Sequence, residues 1–178
     1  EAYRAPAPLP QMFNVGMLGP VLMKFGTPAQ CDHFLPRLAN LDIWFCQGFS
    51  EPGSGSDLAS LRTAARREGD HYVVNGQKIW TSRAEYSDLM VLLARTTPKE
   101  QSKKRTDGLS VFIVDMREVK GKGLEIRPIR TMMNHATTEV FFTDMKVPAE
   151  NLIGEEGKGF RYILSGMNAE RILIAAEC

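Results

Sequence analysis

Between Trp44 and Phe142 the chain is a succession of short runs rich in β-branched and aromatic residues, and this pattern leaves few folds open. The runs cover residues 44–49, 61–67, 71–74, 77–81, 89–94, 109–114, 124–129 and 139–142. Gly69-Asp70, Asn75-Gly76 and Gly121-Lys122-Gly123 read as turns between them, with Asn75-Gly76 closing a hairpin. Several short strands at such spacing predict an antiparallel barrel or sandwich. A doubly wound nucleotide-binding sheet would need strands alternating with helices, and no such alternation is present.

Helical periods flank this β region. Over residues 11–25, Met12, Phe13, Val15, Leu18, Val21, Leu22 and Phe25 recur near helical spacing, and Gly19-Pro20 should break or restart the helix. Gly26 ends it. Thr27-Pro28-Ala29-Gln30 then has the form of a capping box with proline at the first helical position. Phe34, Leu35 and Leu38 are the expected buried stripe of that second helix. From Gly159 the helical period returns, with Phe160, Ile163, Leu164 and Met167 at i, i+3, i+4 and i+7, and it runs to Cys178 without a stop signal. The expected class is α+β. A middle β domain over residues 43–154 follows the end of a helical domain (1–42) and precedes the first helix of another (155–178). On this reading the sequence is a fragment of a longer protein.

Charge narrows the functional classes. Twenty-two basic residues against twenty-one acidic give a net charge of +1, so neither nucleic acid nor an anionic membrane is the expected partner. No apolar run reaches bilayer length, and residues 1–10 lack a signal-peptide pattern. Cys31, Cys46 and Cys178 are odd in number and far apart, which points to free thiols in a reducing compartment. His33, His71 and His135 are isolated from one another and from the cysteines, so no metal site is expected. The basic stretch 97–107 reads as a mobile, solvated loop.

One loop stands out chemically. In Ser50-Glu51-Pro52-Gly53-Ser54-Gly55-Ser56-Asp57, proline stops a strand, and two glycines let a ligand approach the backbone closely. Ser50, Ser54 and Ser56 add hydroxyls, and the N–H groups of such a turn can converge on an anion or a carbonyl oxygen. A phosphate-binding P-loop would need Lys-Ser or Lys-Thr after the last glycine, and Ser56-Asp57 is not that. By itself the composition also describes an ordinary polar loop after a strand. Trp80, beside the hydroxyls of Thr81 and Ser82, offers a flat apolar surface next to donors, which suits an aromatic ligand with polar edges. It equally suits a core tryptophan of a β domain.

Taken together, Ser-Glu-Pro-Gly-Ser-Gly-Ser-Asp at 50–57 and Asn-Gly-Gln-Lys-Ile-Trp-Thr-Ser at 75–82 resemble the acyl-CoA dehydrogenase flavoproteins. Thr138-Glu139-Val140-Phe141-Phe142, Val147-Pro148 and residues 151–159 fit the same family, so the resemblance covers essentially the whole chain. It implies FAD, held on the β domain by Phe49, Ser50, Gly55, Ser56, Trp80, Thr81 and Ser82. In that reading Ser50 bonds the pyrimidine edge of the ring, Trp80 packs on it, Ser82 reaches N5, and Ser56 touches both cofactor and acyl-CoA. The implied reaction is α,β-dehydrogenation of an acyl-CoA to the trans-2-enoyl-CoA in fatty acid and lipid metabolism. Electrons pass to electron-transfer flavoprotein.

Many members of the family place the base in a C-terminal helical domain beyond this chain, whereas a subset resembles this sequence in having a Glu-Arg pair on the helix after the β domain. Here that is Glu170-Arg171, which makes Glu170 the candidate base and Arg171 a contact to the acyl-CoA. A solvated helix glutamate and a surface ion pair are the plain alternatives. Arg83 stands where many relatives have glycine or asparagine, and its bulk would narrow the site or alter docking of the electron acceptor. The resemblance further implies a homo-oligomer without membrane insertion, in the cytoplasm if bacterial, the favoured case, or in the mitochondrial matrix if eukaryotic. An acyl-CoA oxidase and a non-catalytic subunit of a heteromeric dehydrogenase remain as alternatives.

Overall fold

The structure is a computed structural model that describes residues 16–132 and 136–177, except for the side chains of residues 169, 170, 173, 174, 176 and 177. The expected apolar positions Met12, Phe13 and Val15, together with His135 and Cys178, lie outside the described residues. The elements run α1 (Gly19–Phe25), α2 (Pro28–Ala39), β1 (Phe45–Gly48), β2 (Ala64–Glu68), β3 (His71–Ser82), β4 (Leu89–Arg95), β5 (Leu109–Asp115), α3 (Met116–Val119), β6 (Leu124–Pro128), β7 (Thr137–Pro148), β8 (Leu152–Ile153) and α4 (Gly159–Glu177).

The local helix signals act as read. Pro20 sits at the start of α1. Thr27 and Gln30 close a reciprocal capping box, Gln30 N–H donating to Thr27 Oγ1 at 3.2 Å and Thr27 N–H to Gln30 Oε1 at 3.0 Å. The Gln30 amide then reaches across the molecule to the carbonyls of Glu150 and Leu152 at 2.8 and 3.0 Å, tying α2 to the far end of the β region. Leu38 is buried, with Phe34 and Leu35 packed beside it.

Among the described residues eight strands form one sheet in the order β6-β7-β3-β2-β4-β5-β8, with β1 added beside β4. Most pairs are antiparallel, but β1 runs parallel to β4, and β2 meets β4 in parallel at Ala64 and Arg95. The path is open at β6 and β8, so the sheet folds over as a sandwich instead of closing as a barrel. Strands β4 and β5 are its middle layer, and both of their faces are covered. Leu89, Val91 and Leu93 join Leu109, Val111 and Ile113 against Leu18, Leu22, Leu38 and Ile163 of the helices. The alternate residues Met90, Leu92, Ala94, Phe112 and Val114 pack on Tyr72, Val74, Val140, Phe142 and Val147 of β3 and β7. A strand buried on both faces has no polar positions, which is why Leu-Met-Val-Leu-Leu-Ala reads as a continuous apolar run.

One sequence expectation is overturned. Asn75-Gly76 is not a hairpin turn; it lies inside β3, a single strand that pairs with β7 along its length. The register shifts between Val74 and Gly76, a bulge, and Gly76 adopts φ +150° there. The Asn75 amide donates to Asp144 Oδ1 at 3.0 Å and its carbonyl oxygen accepts from Asp144 N–H at 2.9 Å, so the side chain bridges the two bulged strands. The signals at Gly69-Asp70 and Gly121 to Gly123 do mark turns, with positive φ at Gly69, Gly121 and Gly123. Helix α4 passes so close to α1 and the residues just before it that a Cβ on Gly166 would lie 2.6 Å from the Met17 carbonyl oxygen and 3.2 Å from Val21 Cγ2.

Candidate functional site

The Gly/Ser loop leaves the end of β1 and turns at once. Glu51 and Ser54 exchange both backbone hydrogen bonds (2.9 and 3.0 Å) around Pro52-Gly53, so two of the N–H groups expected to face a ligand are spent inside the turn. Ser54 also turns inward: it is buried, and its hydroxyl lies 2.8 Å from that of Ser60. Neither Gly53 nor Gly55 needs a positive φ, and a Cβ on either would meet nothing within 4 Å. Neither backbone strain nor internal packing asks for glycine at these positions. The space they leave lies outside the loop, and at Gly55 it opens into a cleft.

That cleft has a volume of about 450 Å³. The loop contributes Phe49, Ser50, Gly55 and Ser56, β3 contributes Ile79 and Trp80, and α4 contributes Phe160, Leu164, Met167 and Arg171. The helical residues fall at i, i+4, i+7 and i+11, one face of α4. Trp80 is not a core residue: it is 61% exposed. A second register shift between Lys78 and Thr81 puts Trp80 at φ +61°, and this left-handed backbone at a bulky residue turns the indole out of the sheet. Such strain costs about 1–3 kcal/mol and collects at functional sites. The Ser50 and Ser56 hydroxyls have no hydrogen-bond partner among the described residues, so both are available to a ligand.

Beneath the loop lies a buried ion pair that sequence reasoning missed. Lys78 is fully buried, and its Nζ donates to the Phe49 carbonyl and to Glu51 Oε1, both at 2.9 Å. The Glu51 carboxylate also accepts the N–H groups of Arg62 (2.7 Å) and Thr63 (2.8 Å). Ser50 O accepts from Ile79 N–H at 2.9 Å. Burial works to raise the Glu51 pKa, but the charge of Lys78 and the donated hydrogen bonds prevail and hold it below its ordinary 4.5. Burial pushes the Lys78 ammonium down to about 8 against the pull of Glu51. The period-2 face Tyr72, Val74, Gly76, Lys78 would have exposed the pair in the sequence, since it places a lysine at an inward position.

Acid stability follows from Glu51. In the unfolded chain it takes up a proton near its ordinary 4.5, in the folded chain only at lower pH. Its contribution is therefore complete above pH 4.5 and is lost as the pH falls through the folded value. Urea unfolding midpoints measured across this range should drop on acidification, and Glu51→Gln should remove part of that drop. An identical acid limb in the variant would refute the assignment.

Of the predicted site residues, Phe49, Ser50, Gly55, Ser56, Trp80 and Arg171 meet at the cleft. Thr81 and Ser82 do not line it. Thr81 is 2% exposed, and its hydroxyl is buried without a partner among the described residues. Ser82 is half-buried and pairs with Thr137 of β7. Arg171 is exposed and donates to Asn168 Oδ1 at 3.1 Å. Glu170 stands on α4 next to Arg171, and its side chain lies outside the described part of the structure. Arg83 does not crowd the cleft; its guanidinium lies over the Trp44 ring, 4.8 Å from the centroid. Among the described residues no cluster of three metal-ligating side chains occurs, and no helix is long and apolar enough to cross a membrane.

Comparison with known proteins points one way. The profile of the family described as acyl-CoA dehydrogenase, middle domain, matches residues 46–145. Acyl-CoA dehydrogenase FadE26 of Mycobacterium tuberculosis is 41% identical over 99% of the chain, which corresponds to 43% of that protein. A solved variant of the Tcur3481-Tcur3483 steroid ACAD is 38% identical, with a TM-score of 0.85 over 96% of this chain and 43% of its own. The ChsE4-ChsE5 complex from Mycobacterium tuberculosis is 41% identical, with a TM-score of 0.81 over 94% of this chain and 42% of its own. The chain thus spans about two fifths of the length of these relatives.

Proposed function

The chain belongs to the acyl-CoA dehydrogenase family, and from that premise we propose that the protein oxidises an acyl-CoA thioester to the trans-2-enoyl-CoA with FAD as its resident cofactor. The observation that carries this reading is the cleft where loop 50–56, Trp80 and one face of α4 converge. Its residues fit a flavin: a flat indole aimed outward, two uncommitted serine hydroxyls, and a glycine whose missing Cβ leaves open space. Phe49, Ser50, Gly55, Ser56 and Trp80 hold the ring in this proposal, with Thr81 and Ser82 beside Trp80. Bound FAD supplies the acceptor for the β-hydrogen.

The remaining work belongs to the chain's own side chains. Trp80 gives the ring a wall and fixes its plane. Phe160 and Leu164 keep water from the reacting carbons. Arg171 offers a cation to the acyl-CoA. Glu170 removes the α-proton, a task suited to a carboxylate in a water-poor pocket where its proton affinity rises. The proposed division of the chain is a helical segment to residue 42, the flavin-binding β domain over 43–154, and a second helical segment from 155.

Likeness to a protein named as a steroid ACAD supports a polycyclic acyl thioester as the substrate class, ahead of a plain fatty acyl chain. Electron-transfer flavoprotein is the proposed electron acceptor, and the cytoplasm of a bacterium the proposed location. Assembly has two readings. The family resemblance favours a homo-oligomer, whereas the complex of two differently named chains among the relatives favours pairing with a second kind of subunit. Native mass of the full-length protein, alone and co-expressed with a related chain, separates them.

The test of the cofactor reading is Ser50→Ala in the full-length protein, since the Ser50 hydroxyl lines the cleft. Loss of one hydrogen bond to the ring should shift the flavin absorption bands and slow reduction by acyl-CoA about tenfold, the scale of one such bond. An unchanged spectrum and rate would refute the placement of Ser50 on the ring.

A further inference from the structure

We propose that Lys78 and Glu51 are positioning residues for the cofactor, a buried clamp that fixes the Gly/Ser loop against the Trp80 segment. This inference rests on the reading of the cleft as a flavin site. The clamp gathers three separate stretches at one point. Lys78 Nζ holds Phe49 and Glu51 at the start of the loop. The Glu51 carboxylate holds the N–H groups of Arg62 and Thr63 just beyond its end. Lys78 itself stands two residues before Trp80, and its neighbour Ile79 donates to the Ser50 carbonyl. The base of the loop is therefore closed by ionic hydrogen bonds, while Gly55 and Ser56 are left facing the cleft.

A second buried cation steadies the loop on its other side. Arg95 donates to the carbonyls of Ala59 at 2.9 Å and Leu61 at 3.3 Å. Ser50 and Ser56 on one wall and Trp80 on the other thus have their spacing set by side chains that do not line the cleft.

Stability alone does not explain the choice. A fully desolvated ion pair is often no better for stability than apolar residues of the same volume, because taking both charges out of water offsets their attraction. The pair does what apolar residues would not: it makes four hydrogen bonds with named backbone and carboxylate atoms and so specifies one loop conformation. Preorganised walls matter for a flat ligand, since a displacement of about 1 Å can cost about a hundredfold in function.

The test uses the full-length protein and the variants Lys78→Met and Glu51→Gln. Three quantities are read well below the unfolding temperature: the FAD dissociation constant of the apoprotein, the visible spectrum of bound FAD, and amide hydrogen exchange over residues 50–63 and 79. Each variant should bind FAD about a hundredfold more weakly, by the same reasoning on misplacement. The flavin bands should shift, and the Arg62, Thr63 and Ile79 amides should exchange faster. Wild-type affinity and spectrum in a folded Lys78→Met protein would overturn the proposal and leave the pair a matter of stability only.

Should neither variant fold, exchange in the wild-type apoprotein decides: Arg62 and Thr63 amides exchanging as freely as exposed loop amides would overturn the clamp. A wild-type protein that takes up no FAD at all would instead defeat the flavin reading, and the exchange data would still report on the clamp.

Discussion

Glu170→Gln in the full-length protein should still take up FAD and acyl-CoA yet lose flavin reduction by a factor of about 10² to 10⁴, the usual contribution of a positioned general base. The expectation comes from what surrounds this position on α4. Phe160, Leu164, Met167 and Arg171 turn one face of the helix to the cleft, and Glu170 follows Met167 by three residues and precedes Arg171 by one. On the neighbouring flank, Ile163 and Gly166 meet α1 and β1 around a small apolar cavity of about 20 Å³. The expectation rests on this position, one residue before the cleft-lining Arg171, and on the family resemblance that makes Glu170 the candidate base. Exchange of the substrate α-proton in deuterated buffer should vanish together with reduction, because both need the same proton removed. Reduction at the wild-type rate would move the base elsewhere and leave Glu170 an ordinary helix residue.

Gly76→Ala should destabilise the protein by about 2–5 kcal/mol, the sum of a strained backbone and an overpacked contact. The φ of +150° disfavours any residue with a Cβ. That Cβ would lie 2.5 Å from Thr63 Oγ1 and 2.7 Å from Thr63 Cα, and the second atom is backbone that cannot swing aside. Thr63 also donates its N–H to Glu51, so any shift there reaches the base of the Gly/Ser loop. Urea unfolding followed by circular dichroism gives the loss directly. Had Asn75-Gly76 been an exposed hairpin turn, alanine would cost only the left-handed backbone strain, about 1 kcal/mol. A loss that small would contradict the bulged-strand packing.

The difference between those two values marks what could be read from the residues and what could not. Asn-Gly is a hairpin signal because its backbone preferences suit a tight turn. Its neighbours on β7 and just before β2 decide otherwise: Asp144 takes up the Asn75 side chain, and Thr63 fills the space a glycine leaves. The Gly/Ser loop was legible as a candidate site, but two of its serines have different fates. Ser56 faces the cleft, whereas Ser54 turns inward to Ser60, because the Glu51–Ser54 turn points its side chain away. Trp80 was legible as a flat surface, and its exposure was not, since the bulge that turns it outward is made by pairing with β7. Lys78 passed unnoticed within a strand motif because its partner Glu51 is distant in sequence and the two meet only across the sheet.

The sequence alone determined the elements whose causes are local. The capping box at Thr27, the restart at Pro20, the turns at Gly69 and Gly121, and the period of α4 depend on residues within a few positions of one another. So does the α+β class, which follows from where the apolar period changes. The tertiary structure decided everything that depends on register across the sheet. It made β4 and β5 a layer buried on both faces, merged two expected strands into one β3, and joined residues 49–56, 79–80 and 160–171 around one cleft. Local preferences are worth tenths of a kcal/mol to about 1 kcal/mol each. Burying Tyr72, Phe112 and Met90 in a shared core outweighs them, because each large apolar side chain contributes about 1.5–3 kcal/mol and only one register buries them all.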